Sequence, residues 1–265
     1  MSERRSQAAN IAPKGDGHPV LVIPGFFLND MYMSSLRKTI TAQGYKAYEW
    51  GGGFNVGLNK KTAIHLRDRL HQIYAENGHQ PVSIVGYSLG GIYARELARE
   101  FPDMVRCAVT LGCPFGNIKE GSTVFKVLRS AYTALNKTMA HCLTDDEIAQ
   151  RFLTPPPVPT TSVYCKGDRV ANWRTSLNPP ASETENIEVQ MDAISPHMSI
   201  PRDPMAVAAV LDRLAQKVGQ WKPFNRKTYE ACDKAQGACE DVALPDNPAW
   251  QDRHSQHQPF FKGSY

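Results

Sequence analysis

The run Val82-Ser83-Ile84-Val85-Gly86-Tyr87-Ser88-Leu89-Gly90-Gly91-Ile92 carries more structural information than any other part of this chain. Val82 to Val85 reads as a buried strand and Ile92 to Phe101 as a helix, so a single sharp turn must join them. Gly86 and Gly90 flank Ser88 at two positions on either side, where the lack of a side chain lets strand and helix come close. A serine at the apex of such a turn takes a strained backbone conformation and holds its Oγ clear of the sheet. The helix start beyond it supplies free N–H groups and a partial positive charge. The blander reading is a glycine-rich loop that only turns the chain or binds phosphate, but the spacing Gly-x-Gly-x-x-Gly is absent.

The same alternation of strand and helix runs through the rest of the chain. Val20 to Ile23 is a short apolar run closed by Pro24-Gly25. Met33, Leu36 and Ile40 then recur at helical spacing, with Asn29 or Asp30 as N-cap and Gly44 past the end. Tyr45 to Trp50 reads as a strand. After Gly51-Gly52-Gly53 comes a helix with Leu66, Leu70, Ile73 and Tyr74 on one face and Asn77-Gly78 as its stop. Val105 to Leu111, Thr161 to Cys165 and Ile187 to Met191 read as further strands. The last helix opens on Asp203-Pro204 and carries Val207, Val210, Leu211, Leu214 and Val218. This pattern predicts an α/β protein, doubly wound, with a mostly parallel sheet of about six strands flanked by helices.

Two segments break the alternation. Residues 113–159 form an insertion in which Val124, Val127, Leu128, Ala131 and Leu135 recur at helical spacing, with Phe115, Phe125, Tyr132 and Met139 adding apolar bulk. Residues 219–265 are a polar tail in which scattered Trp221, Phe224, Trp250, Phe260 and Phe261 suggest that part of it packs against the body. The expected organisation is a flexible segment over 1–18, one domain over 19–218 containing the insertion, and the tail.

The 265 residues are 42% hydrophobic and 21% charged, a globular balance. Thirty basic against 26 acidic side chains leave a net charge of +4 without a basic block, which argues against nucleic acid as a partner. No apolar run has the length of a signal peptide or a membrane span, so a cytoplasmic protein is expected. The six cysteines include no Cys-x-x-Cys pair, so metal binding by them is not expected, and Cys232 and Cys239 are read as reduced thiols that could bridge in an oxidising compartment. No cofactor is expected.

A serine hydroxyl needs a general base, and the base needs an orienting acid. Of the eight histidines, only His197 follows a late strand and precedes the last helix, in Ser195-Pro196-His197-Met198-Ser199. For the acid, Asp168 follows a strand in Lys166-Gly167-Asp168-Arg169-Val170. Asp192 is the first competitor, with Asp145 and Asp146 behind it, and the blander role for Asp168 is to cap a turn beside Arg169. The N–H groups of Leu89 and of Phe26, in the turn Pro24-Gly25-Phe26-Phe27, are the expected oxyanion donors. Phe27, Tyr87, Phe115 and Met198 are the expected substrate-contacting side chains.

With these residues in place the chain resembles the α/β-hydrolase superfamily, in particular its small serine esterases and lipases, over about Val20 to Val218. Gly86 to Gly90 resembles the nucleophile elbow, Lys166 to Val170 the acid loop and Ser195 to Met198 the histidine loop. The resemblance implies Ser88 as nucleophile, Asp168 as acid and His197 as base in the hydrolysis of carboxylic esters, through an acyl-enzyme. It also implies a cap built from the insertion, and a compact form of the fold without the N-terminal hairpin. Two departures stand out: Pro-Gly replaces the common His-Gly at the oxyanion turn, and Pro196 precedes the histidine. The expected partner is a small ester with an apolar acyl group, and a lipid interface stays open. The same triad supports acyl transfer and the hydrolysis of lactones, thioesters or amides. A binding module that has kept the fold without catalysis is the non-enzymatic alternative.

Overall fold

In the computed structural model, the described residues are 9–57, 59–116, 151, 153–191 and 193–232. All of them belong to one unit, Met1–Lys234. Strands β1 (Pro19–Ile23), β2 (Lys46–Glu49), β3 (Val82–Tyr87), β4 (Val105–Leu111), β5 (Thr160–Tyr164) and β6 (Thr184–Glu188) form one sheet. Its order is β2-β1-β3-β4-β5-β6, and every neighbouring pair is parallel. The helices are α1 (Asp30–Ala42), α2 (Lys60–Glu76), α3 (Leu89–Glu100), α4 (Pro196–Ser199) and α5 (Pro204–Ala215).

Strand alternation explains the two cores. Val20, Val22, Val85, Tyr87 and Val109 point to one face and pack with Met33, Leu36 and Ile40 of α1 and with the apolar side of α5. Leu21, Ile23, Val82, Ile84 and Ala108 point to the other face, toward Leu66, Leu70 and Ile73 of α2 and the apolar side of α3. The chain steps from β1 outward to β2, then reverses to β3 and continues to β6. Right-handed crossovers put helices on opposite faces when the direction of winding reverses, which is why α1 and α2 lie on different sides. The reversal opens a crevice beyond the carboxyl ends of β1 and β3, where ligands of such sheets bind.

Local chemistry sets the helix starts. The side chain of Asn29 accepts from the N–H groups of Met31 and Tyr32, and that of Asp203 from those of Met205 and Ala206. Among the described residues, no helix is long and apolar enough to cross a membrane.

Several sequence expectations need correction. The last strand is Thr184–Glu188, not Ile187 to Met191. Helix α5 ends at Ala215, and Val218 lies beyond it, 75% exposed. The segment 1–18 is anchored in its described part: Ala12 and His18 are buried, and the N–H of Gly15 donates to the carbonyl of Gln43 at 2.8 Å. The described part of the tail, 219–232, packs onto the body as its aromatic residues suggest, since Tyr229 is buried with its ring stacked on Phe224 and its hydroxyl donating to Asp212 at 3.1 Å. The insertion residues 117–150, including the expected cap stripe from Val124 to Leu135, lie outside the described residues.

Candidate active site

The turn between β3 and α3 places Ser88 as expected from its glycines. Ser88 has φ 50° and ψ −121°, a left-handed conformation that costs a non-glycine residue on the order of 1–3 kcal/mol. Its N–H donates to the carbonyl of Leu111 at 2.8 Å and its carbonyl accepts from Gly91 at 2.9 Å, so both neighbours hold the strained residue. A Cβ placed on Gly90 would stand 2.7 Å from the carbonyl oxygen of Pro24, closer than real Cβ contacts. Glycine there lets the elbow press against the end of β1.

Three side chains from distant parts of the chain meet at this crevice. Nε2 of His197 lies 3.1 Å from Oγ of Ser88, and Nδ1 lies 2.6 Å from Oδ2 of Asp168. An ionised carboxylate only accepts, so Nδ1 carries the proton of the neutral ring and Nε2 is left as acceptor for the serine hydroxyl. The other oxygen of Asp168 accepts from the N–H groups of Val170 at 2.8 Å and Ala171 at 2.9 Å. Asp168 therefore caps its turn with one oxygen and faces the imidazole with the other, so turn capping does not exclude the geometry asked of an orienting acid. Pro196 fits for a simple reason: it occupies the first turn of α4, where a missing N–H costs nothing. Asp192, Asp145 and Asp146 lie outside the described residues.

Of the residues expected to supply oxyanion donors, Leu89 directly follows the serine and Phe26 lies in the Pro24–Phe27 turn. Among the described residues, nothing accepts a hydrogen bond from the N–H of Phe26 or of Leu89. The Pro24–Phe27 turn abuts the elbow, since a Cβ on Gly25 would stand 3.1 Å from Cβ of Ser88. Phe27 is held at φ 55°.

Asn55 holds this turn, and sequence reading missed it. The buried Asn55 donates its Nδ2 to the carbonyl of Pro24 at 2.8 Å and accepts at Oδ1 from the Tyr93 hydroxyl at 3.1 Å and the Gly57 N–H at 3.3 Å. Its backbone accepts from Phe27 and donates to Leu28, each at 2.8 Å. The signal available was weak, an asparagine in the glycine-rich loop Gly51 to Gly57 that read as an ordinary turn.

The four expected substrate-contacting residues divide. Phe27 is 64% exposed and Met198 39% exposed, beside the crevice. Phe54 and Val56, flanking the Asn55 whose backbone pairs with Phe27 and Leu28, are exposed apolar side chains as well. Tyr87 is buried, with its hydroxyl donating to the backbone carbonyl of His197 at 2.9 Å. Phe115 is a correction: at 1% exposure it belongs to the core beside α3, with the Arg95 guanidinium 3.7 Å from its ring centroid. Among the described residues, no group of three or more His, Cys, Asp or Glu side chains is arranged to hold a metal ion.

No protein-family model matches the chain, and no curated protein sequence does. Solved structures do. A monoacylglycerol lipase from Paleococcus ferrophilus superposes with a TM-score of 0.53 at 11% identity, over 77% of this chain and 97% of that one. One of the metagenome-derived lipolytic enzymes LipS and LipT gives 0.51 at 12% identity, over 77% and 95%. Lipase B from Aspergillus fumigatus gives 0.56 at 14% identity, over 77% of this chain and 54% of that one. At such identities the likeness is one of architecture, and with the all-parallel sheet and the elbow at its switch point it establishes that the chain has the α/β-hydrolase fold.

Proposed function

We propose that the chain is a serine hydrolase of carboxylic esters that works through an acyl-enzyme, with Ser88 as nucleophile, His197 as general base and Asp168 as orienting acid. The observation that carries this reading is the continuous line of contacts from the Ser88 hydroxyl through the imidazole to the Asp168 carboxylate, 3.1 Å and 2.6 Å long. Oγ of Ser88 attacks the ester carbonyl as Nε2 of His197 takes its proton. The carbonyl oxygen becomes an oxyanion received by the N–H groups of Phe26 and Leu89, each worth roughly a hundred- to thousandfold in rate. The imidazolium, stabilised by Asp168, then protonates the leaving alcohol. Water deprotonated by the same nitrogen attacks the acyl-enzyme, releases the acid and restores the serine. The exposed Phe27, Phe54, Val56 and Met198 favour an acyl group of apolar character. That three solved proteins of this architecture are lipases or lipolytic enzymes is consistent with such a substrate.

Turnover of a graded series of p-nitrophenyl esters by the wild type and by Ser88→Ala tests this. Activity should vanish in the variant, and a fluorophosphonate should label the peptide containing Ser88 and no other serine. Undiminished turnover by Ser88→Ala overturns the assignment.

A further inference from the structure

Tyr87 ends β3 and directly precedes Ser88, yet its side chain serves the histidine. Its buried hydroxyl donates to the backbone carbonyl of His197 at 2.9 Å, and its ring centroid lies 5.3 Å from that of the imidazole. Burial, reinforced by the neighbouring Tyr32, pushes the phenol pKa far above its ordinary value, so the hydroxyl keeps its proton and remains a donor. Tyr32, in the first turn of α1, stacks on Tyr87 with centroids 5.7 Å apart and donates its hydroxyl to the carbonyl of the next residue, Met198. Arg202 backs the arrangement: its guanidinium lies 4.2 Å from the Tyr32 ring centroid, and its two terminal nitrogens donate to the carbonyls of Met198 at 3.4 Å and Tyr32 at 3.3 Å.

The need for such support follows from the length of α4. Its four residues form about one helical turn, which has no cooperative stability of its own. Asp168 grips the ring at Nδ1 and selects its tautomer, but a ring held at one atom can still swing with its backbone. The carbonyls of His197 and Met198 are the handles by which that backbone is fixed.

Resting on the reading of Ser88 and His197 as nucleophile and base, we infer that Tyr87 is a positioning residue: it sets their separation by tying the backbone of the base to the residue adjoining the nucleophile, with Tyr32 and Arg202 bracing the tie. The second residue of the Gly86–Gly90 motif thereby has a use of its own in this chain. A single residue spans both halves of the reacting pair, so elbow and histidine loop move as one body.

Tyr87→Phe removes one oxygen and keeps the ring. Displacement of a reacting group by about 1 Å costs on the order of a hundredfold, so kcat on a p-nitrophenyl ester should fall at least tenfold while KM stays within twofold. The melting temperature should stay close to that of the parent. In proton NMR, the far-downfield Nδ1 proton between His197 and Asp168 should broaden in the variant, because the imidazole samples more than one seat. Tyr32→Phe, a change at a partly exposed side chain, should give the same pattern more weakly. A kcat within twofold of wild type together with an unchanged downfield proton overturns the inference. Should Ser88→Ala retain full activity, the ester-hydrolysis reading fails instead, and the line shape in Tyr87→Phe decides the tie alone: broadening supports it, an unchanged line overturns it.

Discussion

Replacing Asp168 by asparagine changes protons and leaves shape alone, and the geometry dictates which way the amide must turn. Oδ1 of Asp168 accepts from two backbone N–H groups, of Val170 at 2.8 Å and Ala171 at 2.9 Å. An amide NH2 turned toward them would set donor against donor in a buried turn, at roughly 1–3 kcal/mol for each group left unsatisfied. The asparagine oxygen therefore stays with the backbone and its NH2 faces Nδ1 of His197. Nδ1 must then accept, the ring proton moves to Nε2, and Nε2 can no longer take the proton of Ser88, 3.1 Å away. The expected loss is about 10⁴-fold in kcat, roughly 5.5 kcal/mol of barrier, as for the same change in a serine protease. Initial rates on a short p-nitrophenyl ester measure it, with a thermal melt to verify folding. A loss under tenfold would refute the reasoning and make Asp192 the next acid to test.

Three further outcomes follow from the packing. Asn55→Ala frees the carbonyl of Pro24 and the Tyr93 hydroxyl, so chemical denaturation should show about 1–3 kcal/mol lost and kcat should fall roughly ten- to a hundredfold through the loosened oxyanion turn; unchanged kcat would show that the turn holds itself. Gly90→Ala forces a methyl against the Pro24 carbonyl and should cost about 1–3 kcal/mol in urea unfolding, with slower fluorophosphonate labelling of Ser88; a neutral change would contradict the close approach. The third concerns His18. Burial lowers its pKa below the ordinary 6.5, while for Asp16 burial, which alone would raise the value, is outweighed by hydrogen bonds from His18 and Arg106 that bring it to about 2. Both groups bind protons more readily unfolded, so their stabilisation is complete above 6.5 and is lost as pH falls, first through His18 and then, below 3.8, through Asp16. The melting temperature of His18→Asn should thus drop less than that of the wild type between about pH 7 and about pH 5; an equal drop would clear His18 of the effect.

The parts of the fold legible in sequence were those where one local rule dominates. A four-residue apolar run, a Gly-flanked serine or an Asp-Pro helix start declares itself because burial, sterics or capping leaves one option. The shift of β6 to Thr184–Glu188 was hidden because that strand edges the sheet with polar Thr184, Glu185 and Asn186, which carry no apolar signal. Val218 continued the helical spacing of α5 on paper, but the chain leaves the helix at Gln216 and the spacing outlasts the element. Phe115 looked like cap bulk, although a strand end followed by Cys113 and Phe115 continues the core as easily. The partners of Asn55, Tyr87 and His18 lie 31, 110 and 65 residues away, distances at which no sequence rule operates.

His18 bears on the reactivity proposed for the crevice, because among the described residues the same three side-chain types also meet elsewhere. At the amino end of the sheet, Nδ1 of His18 meets Oδ1 of Asp16 at 2.5 Å and Nε2 meets Oγ of Ser83 at 2.8 Å, contacts as short as those of Asp168, His197 and Ser88. Ser83 nevertheless lies within β3, fully buried, with its Oγ also receiving the Cys107 thiol at 3.3 Å. Parallel strands followed by helices put helix starts, with their free N–H groups and positive partial charge, at the carboxyl edge of the sheet. The amino edge receives helix ends and their carbonyls. An oxyanion on Ser83 would have neither room nor donors, so that triple can only tie the segment before β1 to β3 and β4. The reactivity proposed for Ser88 therefore rests on the edge of the sheet on which the triple stands and on the left-handed turn that presents it.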